Sequence, residues 1–430
     1  MIAVVVVGVA SGLAAARGLA VDAFEQPPIS YSDTTPANPV ADLSERLRQG
    51  EVALRFEETT GYLKDLLASL RVPVSSQTLV FSKTSLQQRF IAPKNPRAIY
   101  FNDEVYVGYV RGGDVLEVSV ADPQLGTVFY TVDQNPAQPP QFVRQTESCL
   151  ICHGGSQTRG VPGHIVRSVY ASRSGQPVFS AGSYRVDDTT PLADRWGGWY
   201  VTGTHGTATH LGNVTYTRRP EPGDERDVSG LNQTQLASRF DAKGYLSAHS
   251  DLVALSVLAH QAPAHTVLAR ASIEVRTALH REATLNRELG EPAGHRWPST
   301  DSIIDSAVDS LVECLLFAEA AALPEPIRGT TPFAEEFVAA GPRDALGRSL
   351  RSLELESRLF RYPCSYLIYS ASFDALPDEL RQRFWQRMDE LLGSAVGGEN
   401  GSSLSPSDSE AIRQILASTK ADAALLWSDP

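Results

Sequence analysis

The sequence predicts an α+β fold: a β-rich N-terminal half, then a mainly α-helical C-terminal half. Between residues 75 and 135 the apolar runs are short, rich in Val, Tyr, Phe and Ile, and punctuated by Gly and Pro. From Asp251 onward, apolar residues recur at helical spacing over stretches too long for strands. Hydrophobic residues make up 42% of the 430 and charged residues 20%, which fits a packed globular chain. That length suggests more than one folding unit.

Taken in order, residues 2–16 hold only Ala, Val, Ile, Leu, Gly and Ser. The run is short for a membrane span, which needs about 20 residues. Small residues follow, with Ala14, Ala16 and Ala20 in the cleavage region. We read residues 1–23 as a secretory signal peptide, with an uncleaved N-terminal anchor as the alternative, because no basic residue precedes the run. Either reading puts the protein in the periplasm or another extracytoplasmic space. Residues 24–42 are rich in Pro, Ser, Thr and Asp and read as a linker. Residues 43–70 carry one or two helices, and 43–230 is the expected β-rich region.

Strands are expected at 78–81, 98–111, 115–121 and 127–132, with Gly112-Gly113 and residues 123–126 as hairpin punctuation. Shorter ones are expected at 165–171, 177–180, 199–202 and 214–217. The helical domain, 245–430, opens with an apolar stripe from Leu252 that Pro263 should break or kink. Further helices are expected at 303–322, 376–392 and 407–419, the last with Ser407 and Glu410 at capping-box spacing. Residues 393–405 read as a Gly- and Ser-rich loop.

The formal net charge of −12 excludes the nucleic-acid-binding class, which needs clustered Lys and Arg. Of the four cysteines, Cys314 and Cys364 stand far apart; they pair in an oxidising compartment or remain two buried thiols. The other two lie in Cys149-Leu-Ile-Cys152-His153, the c-type haem attachment pattern. Each thiol can add to a haem vinyl group, and the two-residue spacer lets both reach neighbouring pyrrole edges. The adjacent His153 then becomes the proximal iron ligand. A zinc half-site would need a second Cys or His pair; His205 and His210 could supply one, but only four cysteines in all disfavour it, and a redox dithiol lacks its βαβ setting. The expectation is one covalent haem c.

The distal ligand is open. Only Met1 and Met388 exist, and Met388 lies far downstream, so Met ligation is disfavoured. Among the histidines the order of preference is His205, then His164, then His210. The first and last of these lie among Trp196, Trp199, Tyr200 and several glycines suited to a porphyrin face. His260 and His265 flank Pro263, five residues apart rather than four, leaving room for a second axial or non-haem metal role. Arg89, Lys94, Arg97, Arg144 and Arg159 are the cations available for the haem carboxylates.

At Cys149–His153 the chain resembles c-type cytochromes. Segments 87–97, 195–206 (with Trp196, Trp199 and His205), 249–255 (with His249 and Asp251) and 360–370 (with Tyr362, Pro363 and Cys364) extend the similarity. They resemble an uncharacterised family of large exported bacterial proteins with a cytochrome c domain and one haem motif. The resemblance implies haem and export and no particular substrate. The reading is an exported monohaem cytochrome that transfers electrons to a redox partner protein. The alternative is a peroxidase-like oxidoreductase or gas-binding protein with an open distal site, and the helical half could serve as a docking module.

Overall fold

The computed structural model describes residues 23–219, 221, 227–393 and 404–427. The expected signal and most of the 393–405 loop lie outside the described residues. The fold is α+β, with a sheet in the N-terminal half and helices in the C-terminal half.

Strands β1 (Thr78–Val80), β2 (Arg97–Phe101), β3 (Val105–Val110), β4 (Val115–Asp122), β5 (Gly126–Asp133) and β6 (Phe142–Arg144) form an antiparallel meander. β7 (Arg167–Val169) and β8 (Ser183–Arg185) pair as a separate ribbon. β9 (Trp199–Tyr200) returns to β1, closing a seven-stranded sheet ordered β6-β5-β4-β3-β2-β1-β9. The single strand expected at 98–111 is two strands. Asn102 Oδ1 accepts hydrogen bonds from the amides of Glu104 and Val105 at 3.1 and 2.8 Å and turns the chain back on itself. At 177–180 the expected strand gives way to a 3₁₀ turn, Phe179–Ala181, and 214–217 contains none.

Because side chains alternate across a strand, the two faces of the sheet differ. One face carries Tyr100, Val107, Tyr109, Val118, Val128 and Val132, all buried. It packs against α1 (Pro39–Arg48) and α2 (Leu63–Ser69) through Leu43, Leu63, Leu66 and Leu67. Phe24, Ile29 and Tyr31 join this core, so the presumed linker is a folded strap. The opposite face presents Arg97, Ile99, Glu117 and Thr131, all half-buried, and at its far end Phe101 and Tyr106, buried in the second core.

A one-turn helix, α3 (Leu150–His153), follows β6. The long helix α4 (Leu252–Leu289) leads the helical half. It runs through Pro263 without a break, because its N-terminal half is buried on all sides and tertiary packing holds the backbone that the proline leaves unbonded. Its length and composition would suit a membrane span, yet that apolar surface is inside the protein. Around it lie α5 (Pro298–Leu315), α6 (Phe333–Ala339), α7 (Ala371–Asp374), α8 (Asp378–Gly393), α9 (Pro406–Thr419) and α10 (Ala421–Trp427). The cap of α9 is Ser405, whose Oγ accepts from the Asp408 amide at 3.1 Å, not Ser407. The apolar core here joins both halves: Val80, Phe101, Tyr106, Trp196 and Trp199 pack with Leu255, Leu258, Leu268 and Met388.

Candidate functional site around Cys149 and His153

Cys149 starts the α3 turn, and its carbonyl accepts from the His153 amide at 3.0 Å. The side chains of this single turn divide by environment. Leu150 is buried and anchors the turn, Cys149 packs half-buried against the sheet core, and Ile151 and Cys152 face solvent. Gly154 is needed for space rather than dihedral freedom: a Cβ there would lie 3.1 Å from the Phe24 ring. All four cysteines are free thiols, so Cys314 and Cys364 are not joined. Burial pushes the Cys149 thiol up to about 11, with nearby Glu117 adding to the shift and Arg97 opposing it.

Residues 154–163 loop back onto the turn. The Gly163 amide donates to the His153 carbonyl at 2.9 Å, and the His153 Nδ1 donates to the Gly163 carbonyl at 2.9 Å. The strap is clamped from the helical half. Thr266 of α4 accepts from the His164 amide at 3.1 Å, and a Cβ on Gly163 would meet the Thr266 side chain at 2.7 Å. Burial holds the His153 imidazole below its ordinary value, so it is neutral at pH 7. An imidazole with Nδ1–H tied to a backbone carbonyl presents Nε2 as a lone-pair donor, the arrangement in which metal-ligating histidines are held.

Of the five cations considered for haem carboxylates, Arg97 is the one coupled to both Cys149 and His153. It bonds Glu117 at 2.5 Å across the half-buried face of the sheet. Its Nε is buried without a partner, an N–H left for a further acceptor. Gly108 lies beneath it, where a Cβ would come within 2.3 Å of the guanidinium. The others are engaged elsewhere or removed: Arg144 binds the carbonyls of Tyr31 and Thr34, Arg89 pairs with Asp114, Lys94 is exposed, and Arg159 lines a separate cavity. That cavity, about 220 Å³ and walled by Arg159, His164, Asp188, Cys314 and Phe317, does not include the cysteine turn. Two thiols, a neutral held imidazole and a half-buried guanidinium are a donor set that fits a covalently attached haem.

The three distal candidates are placed differently. His164 is buried and directly follows Gly163, whose carbonyl holds His153 Nδ1. Its ring nitrogens contact Ser119 Oγ at 3.0 Å and Thr127 Oγ1 at 3.2 Å. His205 donates from Nδ1 to the Ala208 carbonyl at 2.9 Å, and its Nε2 accepts from the Asn232 amide at 3.0 Å. His210 accepts at Nδ1 from Gly212, and its ring meets that of His205 at 4.8 Å. So His153 and His164 are brought together around Phe129, while His205 and His210 pair with each other. Trp196, Trp199 and Tyr200 are buried core residues, and Met388 is enclosed in the helical core.

His260 and His265 do not converge on a common point. His260 contacts Asp188 through Nδ1 at 2.8 Å and Ser365 through Nε2 at 2.6 Å. That order resembles an acid–base–nucleophile array, but His260 and Ser365 are fully buried and the imidazole lies under Phe317 at 4.4 Å. It acts as a polar tie between three segments. His265 instead meets Tyr106, at 3.0 Å. Among the described residues no group of three or more His, Cys, Asp or Glu is arranged to hold a bare metal ion. Gly163, Thr266 and Tyr106 carry no local sequence signal, because their roles depend on contacts between distant segments. No family model matches this chain, and neither a curated protein nor a solved structure was found to be similar to it.

Proposed function

We propose that the protein is an exported c-type cytochrome with one haem, bonded through Cys149 and Cys152 and ligated by His153, and that it transfers electrons to a partner protein outside the cytoplasm. The observation that carries the reading is the His153 Nδ1 bond to the Gly163 carbonyl within a Cys-x-x-Cys-His turn. When bound, the haem would supply one-electron redox chemistry at its iron. The protein's own part is positional. Gly163 fixes the tautomer and tilt of the imidazole, Thr266 fixes Gly163, and Arg97 offers its spare N–H to a haem carboxylate. Cys152 and Ile151 are exposed, so a haem attached there would be open to a partner.

One observation favours a second reading, an oxidoreductase or gas-binding site with an open distal position. Both ring nitrogens of His164 and of His205 are already hydrogen-bonded, so ligation by either would first break those contacts.

Both readings are tested on full-length protein produced with a c-type maturation system. The wild type should carry one covalent haem, and the Cys149→Ser/Cys152→Ser double variant none; haem that stays covalently attached in that variant would sink the assignment. Sharp low-spin bands on reduction would favour electron transfer. A high-spin spectrum that shifts with carbon monoxide would favour the open site.

A further inference from the structure

Behind His153 a line of buried rings runs into the helical half. Phe129 lies 4.9 Å from the His153 ring and 6.4 Å from that of His164. Tyr106 lies 4.2 Å from His164, and its hydroxyl is 3.0 Å from His265 Nδ1. The donors and acceptors along this line can be assigned by elimination. Gln261 Nε2 must donate, because one of its contacts is the Asn102 carbonyl at 2.7 Å; its other hydrogen goes to the Tyr106 oxygen at 2.8 Å. Tyr366 occupies Gln261 Oε1 at 2.6 Å and so fixes the amide. The Tyr106 oxygen therefore accepts from Gln261, and its single hydrogen points at His265 Nδ1.

With Tyr106 donating to Nδ1, the proton of neutral His265 is assigned to Nε2; the Asp103 backbone also interacts with this ring and opposes the effect of burial. Nε2 has no hydrogen bond of ordinary length, and neither has the buried Ser272 Oγ. Both residues line one small cavity of about 10 Å³ beside Gln124 and Thr127, room for a single water. A phenol aimed at an unprotonated imidazole can hand that imidazole its proton if it loses an electron, and the far side of the ring faces a water-sized cavity.

We propose that Tyr106 and His265 are a redox-active pair, in which Tyr106 gives one electron to a haem held at His153 while its phenolic proton passes to His265 Nδ1. The proposal rests on the haem reading above, with the open distal position of the second reading, since peroxide must reach the iron. The oxidant is hydrogen peroxide. Its O–O bond would break as two electrons, one that a bound haem would supply and one from Tyr106, reduce it with two protons from solvent to two molecules of water. At the pair, the Tyr106 O–H bond breaks and an N–H bond forms at His265 Nδ1, leaving a neutral tyrosyl radical beside an imidazolium. The Nε2 proton can then leave toward the cavity. An oxidised phenol is a far stronger acid than imidazolium, so the transfer runs even to an imidazole that burial makes a weak base.

The test uses haem-loaded full-length protein, mixed with hydrogen peroxide, frozen within milliseconds and examined by electron paramagnetic resonance. The wild type should give a tyrosyl radical, and Tyr106→Phe should reduce that signal at least tenfold with its visible haem spectrum unchanged. His265→Asn keeps an acceptor near the phenol but not a base, and should also lower the radical yield. An undiminished tyrosyl signal in Tyr106→Phe, or no radical in a wild type that carries haem, would overturn the pair. A wild type with no covalent haem, seen in its spectrum before peroxide is added, would overturn the underlying haem reading as well.

Discussion

Four imidazoles are held below their ordinary value, each chiefly by burial: His153, His164, His205 and His265. His265 falls from 6.5 to about 3, and His164 well below 6.5. Each is neutral in the folded chain at pH 7 and binds a proton more readily once unfolded. Between the folded and unfolded values the unfolded state therefore carries more protons, and stability rises with pH. Their contribution is complete above about pH 6.5 and is lost as pH falls toward 3. Each such histidine adds a slope of up to about 1.4 kcal/mol per pH unit. The urea midpoint of haem-free protein should hold steady above pH 7 and fall steeply between 6.5 and 5.5. His265→Asn should flatten that fall, and a midpoint that does not move over this window would contradict the assignment of neutral buried imidazoles.

At the scale of elements, α4 depends on Asp251. One carboxylate oxygen caps the helix by accepting from Val253 and Ala254 at 2.8 and 3.1 Å; the other accepts from the amides of Thr330 and Thr331 at 2.6 and 2.8 Å. Gly329 leaves room for it, since a Cβ there would lie 2.4 Å from Oδ2. Asp251→Ala would remove a cap and strand buried amides, at a cost of about 2–4 kcal/mol. Chemical denaturation should read that loss, and a change below about 0.5 kcal/mol would show the cap to be dispensable. Asp251 also shows what a sequence can reveal about elements. Alternation and Gly punctuation marked β4 and β5 nearly to the residue, because both signals are local. The β2–β3 turn was missed because Asn102 is polar enough to occupy a strand edge, and only its side-chain bonds to Glu104 and Val105 reveal a reversal. Pro263 misled in the other direction. Its local penalty is real, but burial along α4 outweighs it.

For the whole molecule, the division that composition suggests near residue 245 is not a division of the core. The site shows this most directly. Cys149, Cys152 and His153 stand out in the sequence because they fall within five consecutive residues. The contacts around them come from across the fold and are not local in the sequence: the peptide after Gly163 is held by Thr266 of α4, and Arg97 of β2 crosses β3 to bond Glu117 of β4. Tyr106 of β3 bonds His265 of α4, and Arg351 of the helical half bonds Asp103 of the β2–β3 turn at 3.0 Å. The second core likewise joins Phe101 and Trp199 to Leu255 and Leu268. Cutting between the halves would expose the apolar side of α4 and the Phe101–Tyr106 end of the sheet together, and neither could bury its surface alone. The two halves should therefore unfold as one. Calorimetry of haem-free protein should show a single endotherm whose van't Hoff and calorimetric enthalpies agree. Two resolved endotherms, or a fragment ending at residue 245 that melts cooperatively on its own, would mean that the β-rich half keeps its site without α4. The proposed haem site would then not depend on the helical half for its geometry.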